Sequence, residues 1–157
     1  MFNSDYIRTI NNNLSFHNDV NNTTYDKFKG KLILGIAGIS PESDKVEIFF
    51  EDNYGMILEH DQDCCEHVSV DQVDNNVNRH IGAIFYELIE KVVTNEECPQ
   101  WSTETYRDAS MTATFYDLVT SKGRLSFRWK GESNGYYSES VDVKYYLNEE
   151  RIYEDEY

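Results

Sequence analysis

One short segment concentrates most of the side chains in this sequence that could take part in chemistry. Residues 60–67 read His-Asp-Gln-Asp-Cys-Cys-Glu-His, so imidazole, thiol and carboxylate groups follow one another closely. These groups bind zinc, and a cysteine next to a histidine can also act as a nucleophile. The candidate ligand-binding residues of this segment are His60, Asp61, Asp63, Cys64, Cys65 and Glu66.

The spacing in this segment argues against a metal site. A structural zinc site pairs two ligands with two more on another segment, and the distant Cys98 has no second cysteine or histidine beside it. A calcium loop needs a glycine at its turn, which this segment lacks. Cysteine catalysis would need a base turned toward Cys64 or Cys65, and the sequence does not show that geometry. We therefore predict no metal, no cofactor and no catalytic residue; in the structural alternative, the cysteines pack and the carboxylates cap a turn.

A second segment, residues 128–138, has the composition of a binding loop. It reads Arg-Trp-Lys-Gly-Glu-Ser-Asn-Gly-Tyr-Tyr-Ser. The two glycines let the backbone approach a ligand closely, and the other side chains offer donors and aromatic faces. Its candidate residues are Arg128, Trp129, Glu132, Ser133, Asn134, Tyr136 and Tyr137. The alternative is a plain hairpin in which Asn-Gly makes the turn and the tyrosines pack across strands.

The elements that must position these two segments are predicted to be strands. Apolar runs at 31–39 and 45–50 flank a turn-rich cluster, and runs at 112–119 and 124–129 flank Thr-Ser-Lys-Gly. Residues 81–93 fit a helix by apolar spacing and a strand by β-branched content. The prediction is a mainly β fold, with α+β as the alternative. We expect a single compact domain of six or seven short antiparallel strands, in a curled sheet or small sandwich, with one or two short helices.

Composition divides the chain into three parts. Residues 1–27 are rich in asparagine and predict a loosely attached arm with a short helix from Ser4 to Ile10. Residues 28–147 form the β-rich domain, and residues 148–157 form an acidic tail that is expected to fray.

The charge of the chain limits its partners. Its 157 residues include 29 acidic and 14 basic side chains, for a formal net charge of -15. Such a field repels phosphate backbones and anionic lipids and attracts basic proteins, so we expect neither direct nucleic-acid binding nor membrane binding. No membrane-spanning or signal segment is apparent, and the odd number of cysteines fits a reducing cytosol in which vicinal Cys64 and Cys65 stay unbonded.

Three segments carry a resemblance to a known family. His60-Asp-Gln-Asp-Cys-Cys-Glu66, Ile81-Gly82 and Phe127-Arg-Trp-Lys-Gly-Glu-Ser-Asn-Gly-Tyr-Tyr-Ser-Glu-Ser-Val141 together resemble a small domain family of unknown function found largely in phage and prophage genomes. The resemblance covers about residues 28–145. It implies a strand for residues 81–93 and a phage-encoded accessory protein in the cytosol of a bacterial host. It brings no known activity.

The leading functional hypothesis is a non-enzymatic protein that binds and blocks a basic host protein. The target would be a bacterial defence or nucleic-acid-binding protein, and mimicry of DNA is one way to block it. Because 12 tyrosines could cover a subunit interface as well as a sheet, a homo-oligomer stays open.

Two alternatives come from other functional classes. The first is a sponge for a small nucleotide signal, in which Arg128 and Lys130 face the phosphate and Tyr136 or Tyr137 stacks on the base. The second is a metal- or cysteine-dependent enzyme built on the 60–67 segment.

Overall fold

The strands of this protein build two antiparallel sheets that pack face to face. The computed structural model describes residues 14–18, 26–74, 76–94 and 110–148. The five strands of the first sheet, in spatial order, are β1 Leu14–Asn18, β9 Asp142–Asn148, β4 Gly55–Glu59, β3 Lys45–Phe50 and β2 Ile33–Ala37. The four strands of the second sheet are β5 His67–Val73, β8 Gly123–Ser133, β7 Ser110–Thr120 and β6 Phe85–Thr94.

The core lies between the two sheets, where buried apolar side chains from both sheets meet. Aromatic side chains dominate it, and Phe28 contacts Phe50 edge-on with ring centroids 5.0 Å apart. Phe50 in turn meets Phe85 at 5.4 Å, which joins the first sheet to the second. The largest fully buried side chains are Trp129, Tyr116, Phe28, Phe50 and Phe85. Burial of such rings is the main stabilising term of a fold this size.

The hairpins form where turn chemistry predicts them. β2 pairs with β3, and β7 pairs with β8 in continuous register from Ser110↔Ser133 to Thr120↔Gly123. Gly38 enters the first of these turns at φ +84°, and a Cβ there would lie 1.9 Å from the carbonyl oxygen of Lys45. Only glycine fits this position.

The mainly β prediction is confirmed, and residues 81–93 contribute a strand. β6 pairs with β7 over its whole length. The described ranges hold nine strands where spacing predicted six or seven, and β6, β7 and β8 are long, with 10, 11 and 11 residues. Two short 3-10 turns, Glu51–Asn53 and Val77–His80, lie within these ranges.

The two ends of the chain contribute one strand each to the edge of the first sheet. β1 comes from the predicted N-terminal arm and pairs with β9. The predicted helix from Ser4 to Ile10 lies outside the described residues, as does nearly all of the acidic tail. Within the described ranges, no helix has the length and apolar character needed to cross a bilayer.

Candidate functional site

Glu66 organises the turn that joins β4 to β5. Its side chain is fully buried, and its carboxylate accepts the backbone N–H of Asp63 at 3.0 Å and that of Cys64 at 2.9 Å. The Gln62 amide donates to the carbonyl of Glu66 at 2.7 Å and to the carboxylate at 3.1 Å. The turn is therefore folded around one carboxylate, in the way that the structural alternative for this segment expects.

His60 ties this turn to a distant part of the chain. Its Nε2 lies 2.8 Å from the Glu66 carboxylate, and its Nδ1 lies 2.7 Å from the backbone carbonyl of Ser140. Both partners are acceptors, so the two bonds form together when both ring nitrogens carry hydrogen. With its side chain only 4% exposed, His60 fixes the position of the segment before β9.

The pKa of Glu66 is lowered from 4.5 to about 2. Burial opposes ionisation, but the hydrogen bonds from His60 and from the backbone N–H groups of Cys64 and Asp63 stabilise the charged form by more. The carboxylate therefore stays ionised at every physiological pH and serves as an internal cap of the turn.

Asp61 belongs to a charge cluster with β9. Lys144 donates to Glu59 at 2.9 Å and to Asp61 at 2.8 Å. Burial lowers the pKa of Lys144, but its hydrogen bonds to Asp61 and Glu59 outweigh this and raise the pKa above its usual value. Burial and the charge of Asp61 raise the pKa of Asp142. The cluster joins β4 to β9.

Cys64 and Cys65 form a vicinal disulfide, which contradicts the prediction that both stay as thiols. Both residues are exposed in the bend closed by Glu66. A disulfide offers no thiolate, so in this form neither cysteine is a nucleophile or a metal ligand. Cys98 lies outside the described residues.

The candidate residues on β8 divide between the two faces of its sheet. Trp129 is fully buried and belongs to the core. Arg128 points to the opposite face, where Asp71 binds it through two hydrogen bonds, one of them 2.9 Å long, and its guanidinium lies 5.8 Å from the Phe115 ring. Lys130 pairs with Glu132 at 3.1 Å. The two cations of the predicted nucleotide site are thus both bound to neighbouring carboxylates.

The loop of residues 133–141 is held by its own hydrogen bonds. Ser133 donates to the buried Glu139 and accepts the N–H of Gly135 at 3.0 Å, while the Asn134 side chain accepts the N–H of Tyr136 at 3.0 Å. These bonds fix a loop that would otherwise be mobile.

Glu139 is the buried anchor of this loop. It accepts a hydrogen bond from Thr112 on β7 at 2.7 Å. It also packs closely on Gly131, because a Cβ at that position would lie 2.7 Å from the Cβ of Glu139. The glycine in β8 therefore gives the loop room to lie against the sheet.

Tyr136 stands out from the tip of the loop. It is 84% exposed, and its ring meets that of Tyr137 edge-on at 5.2 Å. An aromatic ring this exposed on a fixed loop resembles the anchor residues of protein interfaces.

The structure brings the two candidate segments together at one end of the sandwich. β5 and β8 pair so that His67 lies opposite Glu132 and Val68 opposite Gly131. The bond from His60 to Ser140 joins the two loops directly. We call residues 60–66 and 133–141 together the loop end of the domain. Within the described ranges, no three histidine, cysteine, aspartate or glutamate side chains converge to form a metal site.

Several residues that contact the candidate side chains were not singled out as candidates from the sequence. Glu139, Ser140 and Thr112 were not candidates, and neither was Asp71, the partner of Arg128. They contact the candidate residues across long sequence separations, such as the 80 positions between His60 and Ser140. Only the strand register reveals these pairs.

The chain matches the model of one protein family. The model of a domain of unknown function, DUF7448, matches residues 26–143. The chain belongs to the DUF7448 family. The DUF7448 match contains both halves of the loop end and ends at the start of β9. No curated protein matches the chain. No solved structure matches it either.

Proposed function

We propose that this DUF7448 protein is a non-enzymatic, phage-encoded accessory protein that binds and blocks a basic protein of its bacterial host. The target is a defence or nucleic-acid-binding protein in the host cytosol. The observation that carries this proposal is the loop end, where a fixed loop presents Tyr136 on a strongly acidic domain.

The charge distribution supports a basic partner. Many cations of the domain are neutralised internally, because seven lysine and arginine side chains form ion pairs with carboxylates of the same chain. These are Lys29, Lys31, Lys45, Arg124, Arg128, Lys130 and Lys144. The charge of -15 therefore leaves a surplus of carboxylates to face solvent. A basic surface that normally binds DNA phosphates would be attracted by it.

The geometry of the loop supports a protein as the partner. Tyrosine supplies a large, rigid contact area with a polar tip, and such residues dominate the energy of many interfaces. The bonds at Ser133 and Asn134 fix the loop before binding, so ordering it costs little free energy.

The state of the reactive groups supports a non-enzymatic role. Both ring nitrogens of His60 are engaged, and Glu66 is buried beneath the turn. Neither side chain is free to act as a general acid or base.

An affinity capture with matched variants tests the proposal. Immobilised wild-type protein is expected to retain a basic protein stoichiometrically from a bacterial host lysate, and the purified target is expected to lose its nucleic-acid binding when the wild-type protein is added. Tyr136→Ala should reduce the affinity at least about tenfold, since truncation of an anchor residue costs about 2 kcal/mol or more.

Tyr86→Ala is the control for this capture. Tyr86 is 51% exposed at the start of β6, whose partner residues on β7 lie at the opposite end of the sandwich. The Tyr86→Ala variant should bind the retained basic protein as tightly as the wild-type protein does. If no basic protein is retained, or if both tyrosine variants retain it equally, the proposal is wrong.

A further inference from the structure

We propose that a cavity beside the loop end binds an alkylammonium group. The group is either the end of a lysine side chain on the partner or one end of a free polyamine, which present the same chemistry. The inference deepens the proposed function and rests on it, because a basic partner is what would bring a lysine to this place.

The cavity lies between strands β6 and β7 and the 138–141 part of the loop. Its volume is about 290 Å³. Its lining consists of two carboxylates, five hydroxyls and two aliphatic side chains, and no lysine, arginine or histidine of the described residues takes part. The lining residues are Glu90, Val92, Thr94, Thr112, Thr114, Ser138, Glu139, Ser140 and Val141.

Both carboxylates of the cavity lack a cationic partner among the described residues. Within the described part of the chain, Glu139 accepts hydrogen bonds only from the hydroxyl groups of Thr112 and Ser133. Glu90 accepts the hydroxyl of Tyr116 at 2.6 Å. Neutral donors leave the negative charge uncompensated, which favours a cation and disfavours an anion in this cavity.

Thr114 supplies an acceptor with no partner of its own. The residue is only 2% exposed, it lines the cavity, and its hydroxyl makes no hydrogen bond to the described residues. Its hydroxyl can therefore accept a hydrogen bond from a ligand in the cavity.

An alkylammonium group matches these features one by one. It carries three N–H donors, and Glu90, Glu139 and Thr114 offer acceptors for them. Its methylene chain can lie against Val92 and Val141. A phosphate or a nucleotide has the wrong charge for this lining.

A titration followed by two-dimensional NMR of the full chain tests the inference. The probes are N-acetyl-lysine methylamide, spermidine and, as the neutral control, N-acetyl-norleucine methylamide. The lysine probe, spermidine or both should shift the amide signals of Thr112, Thr114 and Val141 saturably, and the norleucine probe should not. Binding of the lysine probe assigns the cavity to a side chain of the partner, and binding of spermidine alone assigns it to a free polyamine.

Matched variants locate the binding. Thr114→Val keeps the shape and removes a hydroxyl that makes no bond within the described chain, so the fold should be unchanged. Glu90→Gln removes one charge. Each should raise the Kd about tenfold or more, since each removes or weakens a hydrogen bond to the charged ammonium group. Glu87→Gln, nearer the start of β6 and outside the cavity lining, is the control and should bind the probes as the wild type does.

The inference and the proposed function fail in different ways. If neither probe gives saturable shifts, if the norleucine probe gives the same ones, or if Thr114→Val and Glu90→Gln bind unchanged, the cavity does not bind an alkylammonium group. Capture that still depends on Tyr136 would in that case leave the proposed function intact. If the probes bind as expected but no basic protein is captured, the proposed function is wrong while the cavity remains an alkylammonium site.

Discussion

Replacement of Glu66 by alanine is expected to lower the Tm by at least about 5 °C, because it leaves the donors around this buried carboxylate without an acceptor. The N–H groups of Asp63 and Cys64, the Gln62 amide and the His60 ring all donate to this one carboxylate. Differential scanning calorimetry measures the change. Glu42→Ala, at an exposed turn, is the control and should stay within about 2 °C of wild type.

The Glu66→Gln variant, studied as a function of pH, tests whether the negative charge of this carboxylate stabilises the folded state. The folded pKa of about 2 lies below the ordinary value of 4.5, so the ionised carboxylate stabilises the folded state above pH 4.5. That contribution is lost progressively as the pH falls from 4.5 toward 2. The difference in Tm between wild type and Glu66→Gln should therefore be largest above pH 4.5 and shrink below it. A difference that stays constant between pH 6 and about pH 2 would contradict the role assigned to this carboxylate.

Added salt is expected to weaken binding to the captured basic partner by at least about 100-fold between roughly 50 mM and 500 mM NaCl. The reason is that salt ions screen the surplus carboxylates and shorten the distance over which they attract a basic surface. Most of the loss should appear in the association rate, which long-range attraction controls, while the dissociation rate changes little. Surface plasmon resonance separates the two rates.

The control for this effect is Tyr136→Ala. The apolar contact of Tyr136 forms only after the two proteins have met. The Tyr136→Ala variant should therefore dissociate faster, while its association rate should depend on salt as that of the wild type does. Binding that is equally tight at both salt concentrations would show that the charge of -15 serves solubility and not recognition.

Much of the fold could be predicted from local patterns. The alternation of Leu125, Phe127 and Trp129 indicates a buried face, and all three side chains are buried. The glycine and polar residues after Thr120 indicate the turn that joins β7 to β8. Hairpins follow such rules because the contacts that form them are close in sequence.

The segment of residues 81–93 shows where periodicity misleads. Its apolar residues follow helical spacing, yet the segment is a strand paired with β7, and Ile89 and Val92 are partly exposed. A short apolar run fits both periods, so its β-branched and aromatic content was the better guide. The strand implied by the family resemblance is confirmed.

The candidate site was predictable in its parts but not in its assembly. Residue types alone marked His60, Glu66 and Tyr136, but the contacts that define their roles join distant segments. The His60–Ser140 bond spans 80 positions, and the Arg128–Asp71 pair spans 57. The alternation along β8 places Trp129 in the core, although its residue type had marked it as a candidate.

The most direct test of the binding proposal is hydrogen–deuterium exchange, followed by mass spectrometry, on the full chain with and without its captured basic partner. We predict that protection on binding appears in peptides covering residues 60–66 and 133–141, and that peptides covering the β7–β8 turn at residues 120–123 exchange as before. Protection at residues 120–123 with none at the loop end would contradict the proposal, because the partner would then occupy the opposite end of the sandwich.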